Sequence, residues 1–343
     1  MKKLFILLTT SLVFLSCKKT NADSSSPLKQ TDVYVAGSDG DASTSIAKVW
    51  KNGVPTSLTS ENGNASANSV FVSGSDVYVC GYESAIGEDV AKIWKNGVGT
   101  SLSNGNERAE AYALFVSDND VYAAGYENAS NFNVVKLWKN GVATSLTDGT
   151  STARANGLFV SGADVYVCGY EANAAGKTVA KIWKNGQATA LSNGNYYANA
   201  TAVFGLGTDV YVAGYDGNAA GNSIAMIWKN GRATFLTDGQ FNAGTSSIYV
   251  SGNDIYVTGY ESNGSIIIAK VWKNGVATSL GNGSNYIKAN SIFISNSDVY
   301  MAGFEYNGAA ALSNAQIYKN GVATKLINQK GFAVGNSVFV TAK

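Results

Sequence analysis

From about residue 32 onward, short runs of β-branched and aromatic residues alternate with polar positions and are broken by Gly, Asn and Ser. One stretch, residues 69–112, reads SVFVSGSDVYVCGYESAIGEDVAKIWKNGVGTSLSNGNERAEAY. Its pattern predicts four strands, at Ser69–Val72, Asp76–Tyr82, Val90–Lys95 and Val98–Leu102. A tight Ser-Gly-Ser turn joins the first two. Asn96-Gly97 joins the last two as a type I′ hairpin, whose central positions both need positive φ. The second-to-third and fourth-to-first connections are longer and differ between copies. No segment shows the apolar spacing of a helix.

This unit recurs. Its Asp-Val-Tyr-Val marker places an Asp at 32, 76, 120, 164, 209, 254 and 298, and a Trp-Lys-Asn-Gly marker follows at Trp50, Trp94, Trp138, Trp183, Trp228 and Trp272, with Tyr318 in the seventh copy. Seven four-stranded units of 44 or 45 residues predict an all-β fold, a seven-bladed β-propeller, because a blade buries both faces only by stacking on its neighbours. The pattern starts at Asp32 with a second strand and finishes at Ser337–Val340 with a first strand. The last strand is therefore expected to complete the first blade, making 32–343 one domain.

Composition narrows the chemistry. The 343 residues include 38 Gly, 2 Pro and no His, with 14% charged residues and a net charge of +1. Without histidine, Ser-His-Asp and Cys-His nucleophile systems and His-ligated zinc are excluded. The near-neutral balance argues against nucleic acid as a partner. Lys2 and Lys3 precede an apolar run ending in Phe14-Leu15-Ser16-Cys17, too short to span a bilayer. This end resembles the lipobox of bacterial lipoproteins. The resemblance implies a signal peptide at 1–16, lipidation of Cys17, a flexible tether over 17–31, and a lipid-anchored cell-envelope protein, at the outer membrane since Lys18 rather than Asp follows the cysteine. The run Ala-Lys-Ile-Trp-Lys-Asn-Gly-Val-Ala-Thr-Ser-Leu resembles the W-x-N-G-x-x-T-x-L core of HAF-type extracellular repeats, which implies a secreted propeller. The Trp-Asp pair of WD-type propellers and the paired glycines of Kelch repeats are absent.

Several residue sets then invite a role. The tryptophans, at one register, are expected to fill the wedges between blades. Cys80 and Cys168 share a strand slot two blades apart, too far for a disulfide, and read as small buried hydrophobes. An acidic residue closes each second strand, and a Lys opens the third in five copies, so Glu83 and Lys92 are expected directly opposite each other. Seven lysines beside the Asn-Gly turns protect the outer edge or, alternatively, favour an anionic surface.

The longer loops share one face. Within an Ala-x-Ala frame of the fourth-to-first loop the variable residues are Ser66, Glu110, Arg154, Asn199, Gly244, Lys288 and Val334, expected around the mouth of the central channel. Tyr112, Tyr196, Tyr197, Phe241, Tyr286 and Phe332 lie in the same loops. Aromatics beside charged and amide groups suggest a ligand surface on variable loops. The expectation is a membrane-anchored extracytoplasmic binding module, lectin-like, taking a glycan. The alternative is a protein-interaction scaffold for an envelope or extracellular protein, and a third reading is a glycan-active enzyme using Glu107 and Glu110. No cofactor or metal is expected, the membrane is met only through the lipid anchor, and the protein is expected to be a monomer.

Overall fold

The computed structural model describes residues 31–342 apart from residues 42, 62, 86, 282–284, 309–311 and 329. The signal segment, Cys17 and all of the tether but Thr31 lie outside the described residues. Thr31 already belongs to the first strand.

Among the described residues there are 28 strands and no helix. They form seven four-stranded antiparallel blades, with strands a to d running outward from the axis. Blade 2 shows the scheme: a is Ala65–Ser73, b is Asp76–Ala85, c is Glu88–Lys95 and d is Val98–Ser101. Five blades are separate sheets, while blades 7 and 1 join through one parallel bridge between Ser313 and Phe332. The a-strands contact one another in a closed cycle around the axis. Blade 1 is completed from the far end of the chain, as expected. Phe332–Ala342 serves as its a-strand and pairs antiparallel with Thr31–Gly40, from Thr31 opposite Ala342 to Gly40 opposite Phe332.

Local chemistry explains the blade. All seven Asn-Gly turns hold both residues at positive φ, for instance Asn96 at 50° and Gly97 at 84°, as a type I′ turn requires. The d-strands are four residues long and largely exposed, a length that blunts their capacity to pair with another chain. The core lies between blades, in seven apolar clusters. Each contains the Trp of one blade packed on its predecessor: Trp138 of blade 3 lies among Tyr78, Cys80 and Ala91 of blade 2, and Tyr318 takes this place in blade 7. The six tryptophans are among the most deeply buried side chains. Cys80 and Cys168 are buried and free, and burial pushes both thiols up from their ordinary pKa.

The structure corrects two local expectations. Strand a of blade 2 begins at Ala65, not Ser69, so the Ala-x-Ala frame lies in the innermost strand and not in a loop. A bulge between Ala67 and Ser69 interrupts the alternation there, which hides the strand from a two-residue pattern. The acid–lysine pairs are diagonal, not directly opposite: Glu83 faces Val90, and Lys92 faces Gly81. The ion pairs still form, between Lys92 and Glu83, at 3.0 Å between Lys136 and Glu127, and at 2.7 Å between the buried Lys48 and Asp39. The lysines beside the turns are also engaged. Lys95 meets Asp76 at 2.7 Å and lies over the Tyr78 ring, and the same arrangement recurs in every blade. The rim is therefore a ring of ion pairs and not an uncompensated positive crown.

Candidate functional site

The bulge in each a-strand makes the channel wall. It recurs at one register in all seven blades. The unpaired residues are Asn68, Tyr112, Asn156, Thr201, Ser246, Asn290 and Asn336, and all seven line one cavity of about 430 Å³ on the axis. In five blades the bulged side chain donates to a main-chain carbonyl of the next blade: Asn68 to Ala111, Asn156 to Ala200, Ser246 to Ala289, Asn290 to Gly335 and Asn336 to Ala67. Thr201 instead meets the Thr245 hydroxyl at 2.7 Å, and Tyr112 turns to Glu110 of its own strand. A glycine in strand b faces each bulge because the backbones crowd there. A Cβ on Gly169 would lie 1.9 Å from the Arg154 carbonyl oxygen.

Three residues along the strand, on the far side of the bulge, seven aromatic rings form a closed collar. Phe71, Phe115, Phe159, Phe204, Tyr249, Phe293 and Phe339 follow one another with centroids 4.6–5.4 Å apart. The channel thus has three layers: the variable residues at the mouth, the bulged polar residues below them, and the collar beneath.

At the mouth, Arg154, Asn199 and Lys288 line the cavity, in the frame expected from sequence. Ser66 accepts a hydrogen bond from Asn336 and donates one to Asn68, so it braces the wall. Gly244 and Val334 occupy the same strand position without lining the cavity. Glu110 is buried and accepts hydrogen bonds from Arg108 at 2.7 Å, from the Tyr126 hydroxyl at 2.7 Å and from Tyr112. Burial pushes the Tyr112 hydroxyl up from its ordinary pKa, opposed by Arg154 and reinforced by Glu110. The Arg154 guanidinium stacks 3.7 Å from the Tyr112 ring centre, a geometry that suits Arg.

The remaining aromatics expected at the site are dispersed. Tyr196, Tyr197, Phe241, Tyr286 and Phe332 are exposed and do not line the cavity. Lys177 covers Tyr197, and Tyr286 packs by Phe304. Besides Tyr112, two tyrosines that the sequence pattern did not single out line it, Tyr170 and Tyr260. Each lies in strand b directly across from a mouth position, Tyr170 from Arg154 and Tyr260 from Gly244. Their signal was the Gly-Tyr pair repeated in five copies.

The sequence matches no protein-family model and no curated protein. Several solved structures share the fold. A puromycin-hydrolyzing peptidase from Mycobacterium tuberculosis is 11% identical with a TM-score of 0.57, over 87% of this chain and 52% of its own. The β-propeller domain of the Trilobed protease from Pyrococcus furiosus is 11% identical with a TM-score of 0.53, over 88% of this chain and 95% of its own. The acylaminoacyl peptidase of Pyrococcus horikoshii is 10% identical with a TM-score of 0.53, over 88% of this chain and 51% of its own. The chain thus spans about half the length of the first of these peptidases and of the last. The Trilobed propeller is described as having an open velcro topology, whereas here the two ends pair within blade 1.

These similarities correct the expected function. These three propellers belong to peptidases, which overturns the expected binding module, lectin-like or scaffold. The geometry gives a concordant reason: the exposed aromatics that suggested a sugar platform lie apart from the cavity.

Proposed function

We propose that this chain is a peptidase-related propeller, which receives polypeptide at its channel mouth for a hydrolytic unit outside these residues. The layered channel carries the reading. A regular seven-sided ring with sides of about 5 Å has its centres about 6 Å from the axis. Subtracting half of a carbon–carbon contact of about 3.5–4.0 Å on each side leaves an opening of about 8 Å at most. Such a collar is matched to an extended backbone and excludes a folded segment. The amides and hydroxyls above it spend their donors between blades, and their oxygens are acceptors for the N–H groups of an unpaired backbone. The absence of histidine from the sequence supports a receiving role without an acyl-enzyme step of the Ser-His type.

The same reading places the propeller outside the cytoplasm. Cys17 would carry the lipid and residues 1–16 would be removed, leaving the domain on a tether at the outer membrane. The repeated Trp-x-Asn-Gly core supports a secreted, HAF-like propeller.

The test is retention of extended peptides by the purified full-length protein, with the peptides recovered intact. The expected result is retention without cleavage, and palmitate incorporation that disappears in Cys17→Ala. Failure to retain any peptide, or glycan retention in its place, overturns the function. Palmitate retained by Cys17→Ala overturns the anchor.

A further inference from the structure

The mouth of the channel holds two cations whose charge nothing nearby answers. Arg154 enters from blade 4 and Lys288 from blade 7, and both line the same cavity of about 430 Å³. No carboxylate lines that cavity among the described residues. Glu110 is committed to Arg108, Tyr112 and Tyr126. Neither cation makes an ion pair within the described residues, unlike the turn lysines of every blade.

Two further observations point to an anion as the ligand. The Nε of Arg154 is enclosed by protein and has no hydrogen-bond partner, and a buried donor left unpaired is destabilising. The Arg154 guanidinium is held 3.7 Å from the Tyr112 ring centre, and its planar fork suits a carboxylate. Lys288 sits in the same wall, held below its ordinary pKa by desolvation and then by the repulsion of Arg154. An anion between the two would relieve that repulsion. The polar ring of Asn156, Asn199 and Asn290 around them is neutral and cannot do so.

We propose that Arg154 and Lys288 form a carboxylate-binding site at the channel mouth, which clasps a carboxylate of the arriving peptide. This deepens the receiving role and rests on it for the identity of the ligand. The carboxylate can be the C-terminus or an acidic side chain, and both present the same planar acceptor. A peptide held there by its carboxylate stays at the mouth above the collar, with the rest of its length outside.

Titration calorimetry on the full-length protein tests this with four probes: an acetylated pentapeptide with a free C-terminus, its C-terminal amide, the amide carrying one internal Glu, and acetate alone. The free acid should bind at least tenfold more tightly than the plain amide. Arg154→Gln and Lys288→Met should each remove that preference while leaving circular dichroism and Tm unchanged. Binding should also weaken as salt is raised. If the Glu-containing amide matches the free acid, the site stands and reads side chains as well. If acid and amide bind equally and neither substitution matters, the carboxylate site falls while the receiving role survives. If acetate binds in an Arg154-dependent way but no peptide does, the site stands and the receiving role falls. If no probe binds, both fall.

Discussion

Asp216 lies near the end of strand b of blade 5, where sister blades offer a lysine or, diagonally from Glu305, the amide of Gln316. Blade 5 has Met226 in that place, and Oδ1 of Asp216 is buried without a partner. Desolvation pushes the Asp216 carboxyl above its ordinary pKa, opposed by the Gly217 amide. An acid whose folded pKa is raised stabilises the fold while protonated and loses that contribution as pH rises from its unfolded pKa through its folded pKa. Unfolding free energy measured as pH rises from about 4 to about 7 should therefore fall less in Asp216→Asn than in the parent protein. Met226→Lys should likewise abolish the fall over this range, because an ion pair holds the Asp216 carboxyl below its unfolded pKa and moves its pH dependence to the acid side of about 4. Equal pH slopes in all three proteins would refute this account. The absence of the lysine was legible in the sequence, because the slot repeats. Its consequence was not, because whether the carboxylate is enclosed depends on the neighbouring blade.

Within an element, the a-strand bulge does the most to shape the molecule. Ala153 and Ala155 are buried against neighbouring side chains, and Arg154 between them reaches the channel. The extra residue Asn156 resets the register, so that Gly157 pairs with Cys168 and Leu158 with Val167. Without it, the alternation would turn every residue before the bulge to the opposite face. Two changes at this position separate the roles of side chain and backbone. Asn156→Ala loses the amide's hydrogen bonds to the Ala200 carbonyl and to the Asn199 side chain and should cost about 1–2 kcal/mol in urea unfolding. Deleting Asn156 should drive Arg154 into the blade interface and cost at least about 3 kcal/mol, the scale of an uncompensated buried charge. Similar costs for the two variants would show that the bulge does not set the faces. The strands b and c were readable because Val, Ile, Tyr and Trp alternate there. The first half of strand a was not, because its inward positions face water in the channel and its outward positions are alanines. Both look like loop. The seven Asn-Gly turns were readable since their conformation is dictated by two residues alone, whereas the diagonal pairing of Glu83 with Lys92 depends on the register beyond the turn.

At the scale of the molecule, seven interblade clusters are equivalent and the ring has one seam. Ten residues, Thr31–Gly40, take their inner partner from Phe332–Ala342. Deleting residues 337–343 removes the partners of Thr31–Ala36 and the packing of Val338 and Val340 on Trp50. The truncated protein should melt well below the full chain, and hydrogen exchange should show blade 1 losing protection first. Unchanged melting would mean that the ring is held without its seam. The closed aromatic collar makes the same point from the inside, since Phe339 sits between Phe71 and Phe293.

The seam also sets a clock on the newborn chain. Strand b of blade 1 is made six blades before its partner, so at about 5–20 residues per second it waits tens of seconds with an open edge. During that wait the nearest candidates are the a-strands of later blades, which carry almost the same sequence. Those strands pair with their own immediate neighbours across a turn of two residues, Gly74 and Ser75 in blade 2, and short loops close fastest. Speed of local pairing, more than difference in sequence, keeps seven near-copies from exchanging places. A slowed or denatured chain loses that protection, and its accessible errors are rings that close one unit short or across two molecules.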